Sequence, residues 1–308
     1  MSTESEVTSV CDLAVAWDWE YDADFTAALE RAIRGKGMQF HSVSHGNLPQ
    51  TLQLVQSNRL RFRAFLDRAS DTDERFLPLA QGIRLTGAMP INTHEALRHA
   101  ADKATMHLEF LTSGIEVPYT IIVSPYNERR EIELSLTDLA RLGRPFIIKP
   151  ANTTGGGIGV ILGAETLKDV IDSRQHHKND KYLLQQKIHP DQLDGKVGWF
   201  RVFYVFDTIL PCWWHPEFHH YEPVSTEEIQ RIGLQELEVT TRKIQEVCEL
   251  DFFSTEIAAA RERKFVVVDY VNETCDMRMQ SKHPDGVPDE IVIKICESIA
   301  ENLKSLLR

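Results

Sequence analysis

The sequence is short of several features that would each commit a chain to a class. Its 308 residues include five cysteines, Cys11, Cys212, Cys248, Cys275 and Cys296, an odd count with no C-x-x-C pair. That spacing supports neither a disulfide framework nor a cysteine zinc site, and a reducing, cytoplasmic setting is the expectation. No apolar run approaches the ~18 residues that suggest a membrane helix, and the opening MSTESEVTSV has no basic stretch ahead of an apolar one. Neither a membrane partner nor a signal peptide is expected. Positive charge is scarce as well, with 34 Lys and Arg against 46 Asp and Glu and a formal charge of -12. A nucleic-acid backbone needs a basic face, so nucleic acid is not an expected partner. His215, His219 and His220 cluster without further ligands at zinc spacing, and the one glycine run is not followed by Lys-Ser or Lys-Thr, so zinc and a P-loop are both set aside.

What is present is an ordinary globular composition, 42% hydrophobic and 26% charged, long enough for two or three packed units. An apolar strand at 12–17, helical spacing at 24–34 and a second strand at 38–43 form a β-α-β unit. Residues 48–70 read as helix in two pieces and 77–87 as a return to the sheet, which together predict a small open sheet with helices on both faces. Helical periodicity over 93–114 breaks at Ala101-Asp102-Lys103, so Lys103 stands near the start of a second helix. Strands are expected to end near Val123 and to occupy 181–188. Residues 199–209 are rich in aromatic and β-branched side chains and read as a strand continuing through Cys212-Trp213-Trp214-His215. Ser225 and Glu228 have capping-box spacing at the head of a helix running to about 250. Strands at 252–260 and 264–271 and a helix at 288–307 close the chain.

Two stretches carry chemistry. In RPFIIKPANTTGGGIGV a buried strand ends at Lys149, and a polar loop then brings Gly155, Gly156, Gly157 and Gly159. Such a loop can lay backbone N–H groups against an anion, and a nearby lysine supplies the charge that a polyphosphate needs. A plain glycine-rich turn is the alternative. In STEIAAARERKFVVVDYVNE a tight turn centred between Glu262 and Arg263 places Glu256 opposite Asp269 on antiparallel strands. Two carboxylates so placed within apolar strands require a cation, and an oxygen-only set favours magnesium or manganese. Asn272 is a third oxygen donor, but it lies at an odd offset from Asp269 and needs a bulge or a strand end to face the same way. In a regular strand Glu273 takes that face.

With these in order along the chain, the sequence resembles the ATP-grasp superfamily, which includes D-alanine-D-alanine ligase, glutathione synthetase and the ribosomal-protein glutamate ligases. The resemblance runs from about residue 90 to the C-terminus through ADKATMHLEFLTSGIEVPYT, IIKPANTTGGGIGV, YLLQQKI, WFRVFYV and the acidic hairpin. It implies an α/β (α+β) ATP-grasp fold: an N-terminal open α/β domain at 1–92, a central subdomain with the glycine-rich flap at 93–185, and a C-terminal subdomain with a metal site at 186–308. It implies that Lys103 and Lys149 contact ATP phosphates, that Gly155, Gly156 and Gly157 belong to the flap, and that Gln186 with the backbone of Lys187 and Ile188 holds adenine. Arg201 becomes a phosphate-side arginine, and Glu256, Asp269 and Asn272 become ligands of magnesium or manganese. Where the family has small residues after the last motif, this chain has ETCDMR, which directs Arg278 to an acceptor site for an anionic group.

The activity implied is that of an ATP-dependent carboxylate-amine (or thiol) ligase working through an acylphosphate. An ATP-grasp kinase acting on a small-molecule hydroxyl and a nucleotide-binding module without turnover are the alternatives. Expected partners are small-molecule carboxylate and amine substrates, with a homodimer as an open option.

Overall fold

A computed structural model describes residues 9–153, 157–260 and 262–307. The chain begins with a parallel sheet of order β2-β1-β3-β4, built from β1 (Ser9–Trp17), β2 (Phe40–Val43), β3 (Leu60–Arg68) and β4 (Met89–Ile91). Helices α1 (Ala23–Gly35), α2 (Leu48–Gln56) and α3 (Leu77–Leu85) connect the strands. Leu13, Ala14, Val15 and Ala16 are all fully buried, as in a strand covered on both faces.

Two expectations are corrected here. The stretch 48–70 is one helix followed by β3, because Leu60, Phe62, Ala64 and Leu66 are buried alternately with exposed Arg61 and Arg63, and that period of two outweighs local helix propensity. The stretch 77–87 is α3, with Pro78 in its first turn and Leu79 and Ile83 buried one turn apart; the strand follows it as β4.

The helical run breaks as expected into α4 (His94–Ala101) and α5 (Lys103–Thr112). The Asp102 carboxylate caps α5, accepting from the backbone N–H groups of Ala104 at 2.9 Å and Thr105 at 3.2 Å. An antiparallel sheet of order β5-β8-β6-β7 then comprises β5 (Thr120–Val123), β6 (Phe146–Pro150), β7 (Ile161–Ala164) and β8 (Tyr182–Gln186), with α6 (Leu136–Leu142) and α7 (Leu167–Arg174). The glycine loop joins β6 to β7.

After the small hairpin of β9 (Gln192–Leu193) and β10 (Lys196–Val197) comes an antiparallel sheet of order β13-β12-β11-β14-β15. Its strands are β11 (Trp199–Val205), β12 (Thr208–His215), β13 (His220–Pro223), β14 (Phe252–Ala260) and β15 (Lys264–Asn272). The single strand expected from 199 onward is instead β11 folded back on β12. The turn uses Phe206 and Asp207 at φ +43° and +67°, so no glycine announced it. The long helix expected from Ser225 is also two. Its capping box is present, but α8 (Thr226–Ile232) stops at Gly233 in the left-handed conformation and α9 (Gln235–Cys248) follows. The last helix, α10 (Asp289–Leu306), places Ile291, Ile295, Ile299 and Leu303 in one core with Leu13, Leu29 and Phe203, so the end of the chain packs under its beginning.

Candidate active site

The hairpin of β14 and β15 sets the site. From Ala260 opposite Lys264 to Ile257 opposite Val267, the register centres the turn on Glu262, half a residue from the expected centre. A register shift then puts Glu256 opposite Asp269, the pairing that the sequence predicts, and a second shift puts Ser254 opposite Asn272. These irregularities supply the bulge that Asn272 requires; Asp269 is half-buried between buried Val268 and Tyr270, and Asn272 is half-buried after buried Val271.

Arg201 on β11 lies opposite Glu256 on the other side of β14. Its Nη2 pairs with Glu256 Oε1, and Trp199 Nε1 donates to Glu256 Oε2 at 3.0 Å. With its amide turned as its neighbours require, Asn272 accepts from Arg201 Nη1 through its oxygen at 3.2 Å and donates to the Thr274 carbonyl at 3.2 Å. Burial works against the Arg201 charge, yet Glu256, with Tyr221 and Asp269, raises its pKa above the ordinary value.

Lys149 reaches this hairpin from β6. It is 6% exposed, donates from Nζ to the Val268 carbonyl at 3.0 Å, stands 3.9 Å from Asp269 Oδ1 and lies 5.0 Å above the centre of the Tyr270 ring. Burial lowers its pKa; Asp269 opposes that shift and Lys103 adds to it. Burial alone would raise the pKa of Asp269, but Lys149, Lys103 and Arg201 together hold it below the ordinary carboxylate range. The Asp269 side chain is nonetheless 39% exposed, so it is surrounded by charge and still accessible to a ligand.

Beneath Lys149, the Tyr270 hydroxyl accepts from Gln185 Nε2 at 3.0 Å and lies 2.7 Å from His107 Nδ1. Burial, helped by the Lys149 charge, pushes the His107 pKa down to about 4, so the ring is neutral at pH 7 and its Nδ1 can accept a hydrogen bond donated by the phenol O–H. No local sequence pattern announces this support beyond the aromatic residue directly after Asp269.

Lys103 opens α5, its backbone N–H bonded to the Ala151 carbonyl at 3.1 Å, which ties that helix to the end of β6. The base of the glycine loop is held by Asp180, which accepts from Asn152 N at 2.9 Å, Asn152 Nδ2 at 2.8 Å and Thr153 Oγ1 at 3.0 Å. No sequence pattern links Asp180 to that loop. Gly155 and Gly156 lie outside the described residues; Gly157 has φ +77°, a conformation that suits glycine. Gln186 ends β8, its backbone N–H bonded to Tyr119, and Lys187 and buried Ile188 continue from it. Arg278 stands apart from this group among the described residues: it pairs with Asp276 Oδ2 at 2.7 Å and Asp285 Oδ2 at 3.0 Å.

No family model matches the sequence, and no curated protein matches it. Solved structures do. The chain aligns with a RimK domain ATP-grasp protein from Sphaerobacter thermophilus at 20% identity and TM-score 0.63, covering 94% of this chain and 98% of that one. It aligns with D-alanine–D-alanine ligase from Bacillus anthracis complexed with ATP at 11% identity and TM-score 0.63, covering 96% and 98%. The macrocyclase MdnC bound with precursor peptide MdnA, from Microcystis aeruginosa, aligns at 12% identity and TM-score 0.61, covering 96% and 100%. The chain has the ATP-grasp fold.

Proposed function

We propose that this protein is an ATP-dependent ligase that joins a carboxylate to an amine or thiol through an acylphosphate. The observation that carries the reading is the meeting of Lys149, Arg201, Glu256, Asp269 and Asn272, drawn from four strands of two sheets, around an accessible Asp269. Lys149 and Lys103 serve the ATP phosphates, the loop through Gly155, Gly156 and Gly157 covers them, and Gln186, Lys187 and Ile188 border the adenine. The same reading divides the chain at 92/93 and 185/186.

The donor set fits magnesium or manganese: two facing carboxylates and an amide offer oxygen alone, and neither sulfur nor imidazole stands among them. When bound, magnesium supplies charge neutralisation on the phosphates. The chain's own part is positional and electrostatic. Lys149 is fixed by Val268, and Arg201 by Glu256 and Asn272, so their charges are in place before the γ-phosphoryl moves to the substrate carboxylate. The amine then attacks the acyl carbon, phosphate leaves, and the nitrogen loses a proton. No protein nucleophile is required. Arg278, held by two aspartates, is proposed to border the acceptor side. Because one structural neighbour is bound with a precursor peptide, peptides join small molecules as candidate substrates.

The test is a screen of carboxylate and amine pairs for ADP release with magnesium. ADP and phosphate formed only when both acceptors are present, and lost in Asp269→Ala, support the ligase. A stable phosphorylated hydroxyl product without ligation, or unchanged turnover in Asp269→Ala, overturns it.

A further inference from the structure

A second space lies beside the charged group, not within it. Residues of β3, α3, β4 and α4 line a cavity of about 550 Å³, a volume suited to a small molecule. Its walls are mainly apolar, with Phe65, Leu77, Ala80, Ile83 and Leu97 among them, while Asp71 and Glu273 also line it. The charges around it are unequally matched. Arg68 is spent on Asp22, at 2.8 Å from both Nε and Nη2, and on the Cys275 carbonyl at 2.9 Å. Asp67 is spent on Ser70 and the Ala69 backbone. Arg84 and Arg98 line it too, from helix positions as exposed as Asp71; Arg84 faces Glu95 at 3.9 Å, and Arg98 has no ion pair among the described residues. Asp71 accepts from Thr274 Oγ1 at 3.3 Å, and neither Asp71 nor Glu273 has an ion pair among the described residues. Glu273 directly follows Asn272 and lies within electrostatic reach of Asp71 on one side and of Lys103 and Asp269 on the other. It therefore joins the cavity to the charged site.

We propose that this cavity receives the amine acceptor, a small primary amine on an apolar body, with its ammonium between Asp71 and Glu273 and its body against Phe65, Ile83 and Leu97. The inference rests on the ligase reading and assigns a place and a chemical class to one of its substrates. A carboxylate placed at that same point is repelled by the two acids, so the Asp71–Glu273 end of the cavity separates the acceptors by charge. The amine enters beside Asn272 and Asp269, where the acyl carbon would be presented, and gives one ammonium proton to a flanking carboxylate so that its nitrogen lone pair is free to attack.

Calorimetric titration of the full chain with phenethylamine and with 3-phenylpropionate tests this, with MgATP binding measured on the same samples. Phenethylamine is expected to bind and 3-phenylpropionate is not. Asp71→Asn is expected to weaken the amine by about tenfold, as expected when a charged partner is lost. Ala80→Trp, which fills the cavity, is expected to abolish amine binding, and both variants are expected to keep MgATP affinity. Equal binding of the carboxylate, or unchanged amine affinity in Asp71→Asn, overturns the proposal. Loss of amine binding with MgATP binding intact in the unaltered chain defeats this inference alone, whereas absence of MgATP binding there defeats the ligase reading.

Discussion

Among the described residues, two arginine–carboxylate pairs with both side chains largely buried are built to different ends. Arg68 and Asp22 are 3% and 2% exposed; Arg68 Nε and Nη2 each meet one carboxylate oxygen at 2.8 Å, and Nη2 also reaches the Cys275 carbonyl. That pair is closed, and it ties β3 to the segment after β15. Arg201 and Glu256 are 13% and 14% exposed; the Arg201 Nε has no partner among the described residues, and a second acid, Asp269, stands close by with its side chain 39% exposed. A bidentate charge pair shut away from solvent, with both carboxylate oxygens engaged, holds structure. One left incomplete beside Lys149 and an accessible Asp269 keeps donors and acceptors unspent, as the proposed phosphate and metal site needs.

The sharpest way to break this comparison is to remove one acid from each group. Asp22→Asn leaves the buried Arg68 charge uncompensated and should cost about 3–5 kcal/mol of stability, read by chemical denaturation, while the turnover of the remaining folded protein stays close to normal. Asp269→Ala should do the opposite, lowering turnover at least about a hundredfold with a smaller change in stability. If Asp22→Asn spares stability, or Asp269→Ala unfolds the protein without a specific kinetic defect, the distinction between the pairs fails.

A weaker effect should appear in the pH dependence of stability. The folded pKa of His107 is about 4, below its ordinary 6.5, so the native ring is neutral and the unfolded chain binds the extra proton. Stability should therefore decline as pH falls from about 6.5 to about 4 and level off below. His107→Asn, which can still meet the Tyr270 hydroxyl, should flatten that limb by at most ~1.4 kcal/mol per pH unit. An unchanged limb would remove His107 from the foundation under Lys149. The smallest effect is expected from Asp180→Ala. Releasing Asn152 and Thr153 should raise the KM for ATP by about tenfold or less, the equivalent of one lost hydrogen bond, with a small shift in Tm. A fall in kcat at constant KM would place Asp180 in the chemistry instead of under the loop.

The errors of the sequence reading share a cause. Residues 60–68 carry the alternation of β3, yet the arginines between the apolar positions also suit a helix. The choice was made by neighbouring strands β1 and β4, which supply its hydrogen bonds. The turn at Phe206–Asp207 lacks the glycine that marks such reversals, and Gly233 could be read as a tolerated helix glycine until its left-handed conformation was seen. The partners of Arg278, Asp276 and Asp285, were likewise not legible locally, although one stands only two residues away.

By itself the sequence determined what depends on neighbours a few residues away: the break before Lys103, the Ser225 capping box, the glycine loop after Lys149, and the hairpin that sets Glu256 and Asp269 on facing strands, its register completed by a bulge. Tertiary structure alone decided that Lys149 reaches Val268 and Asp269 over more than a hundred residues of chain, and that two register shifts bring Asn272 to Arg201. It also decided that β11 sets Arg201 against Glu256. The physical reason is range. Propensity, capping and turn chemistry are settled within a few residues, whereas the partners of a buried charge are selected by how whole sheets pack, and no local pattern encodes them.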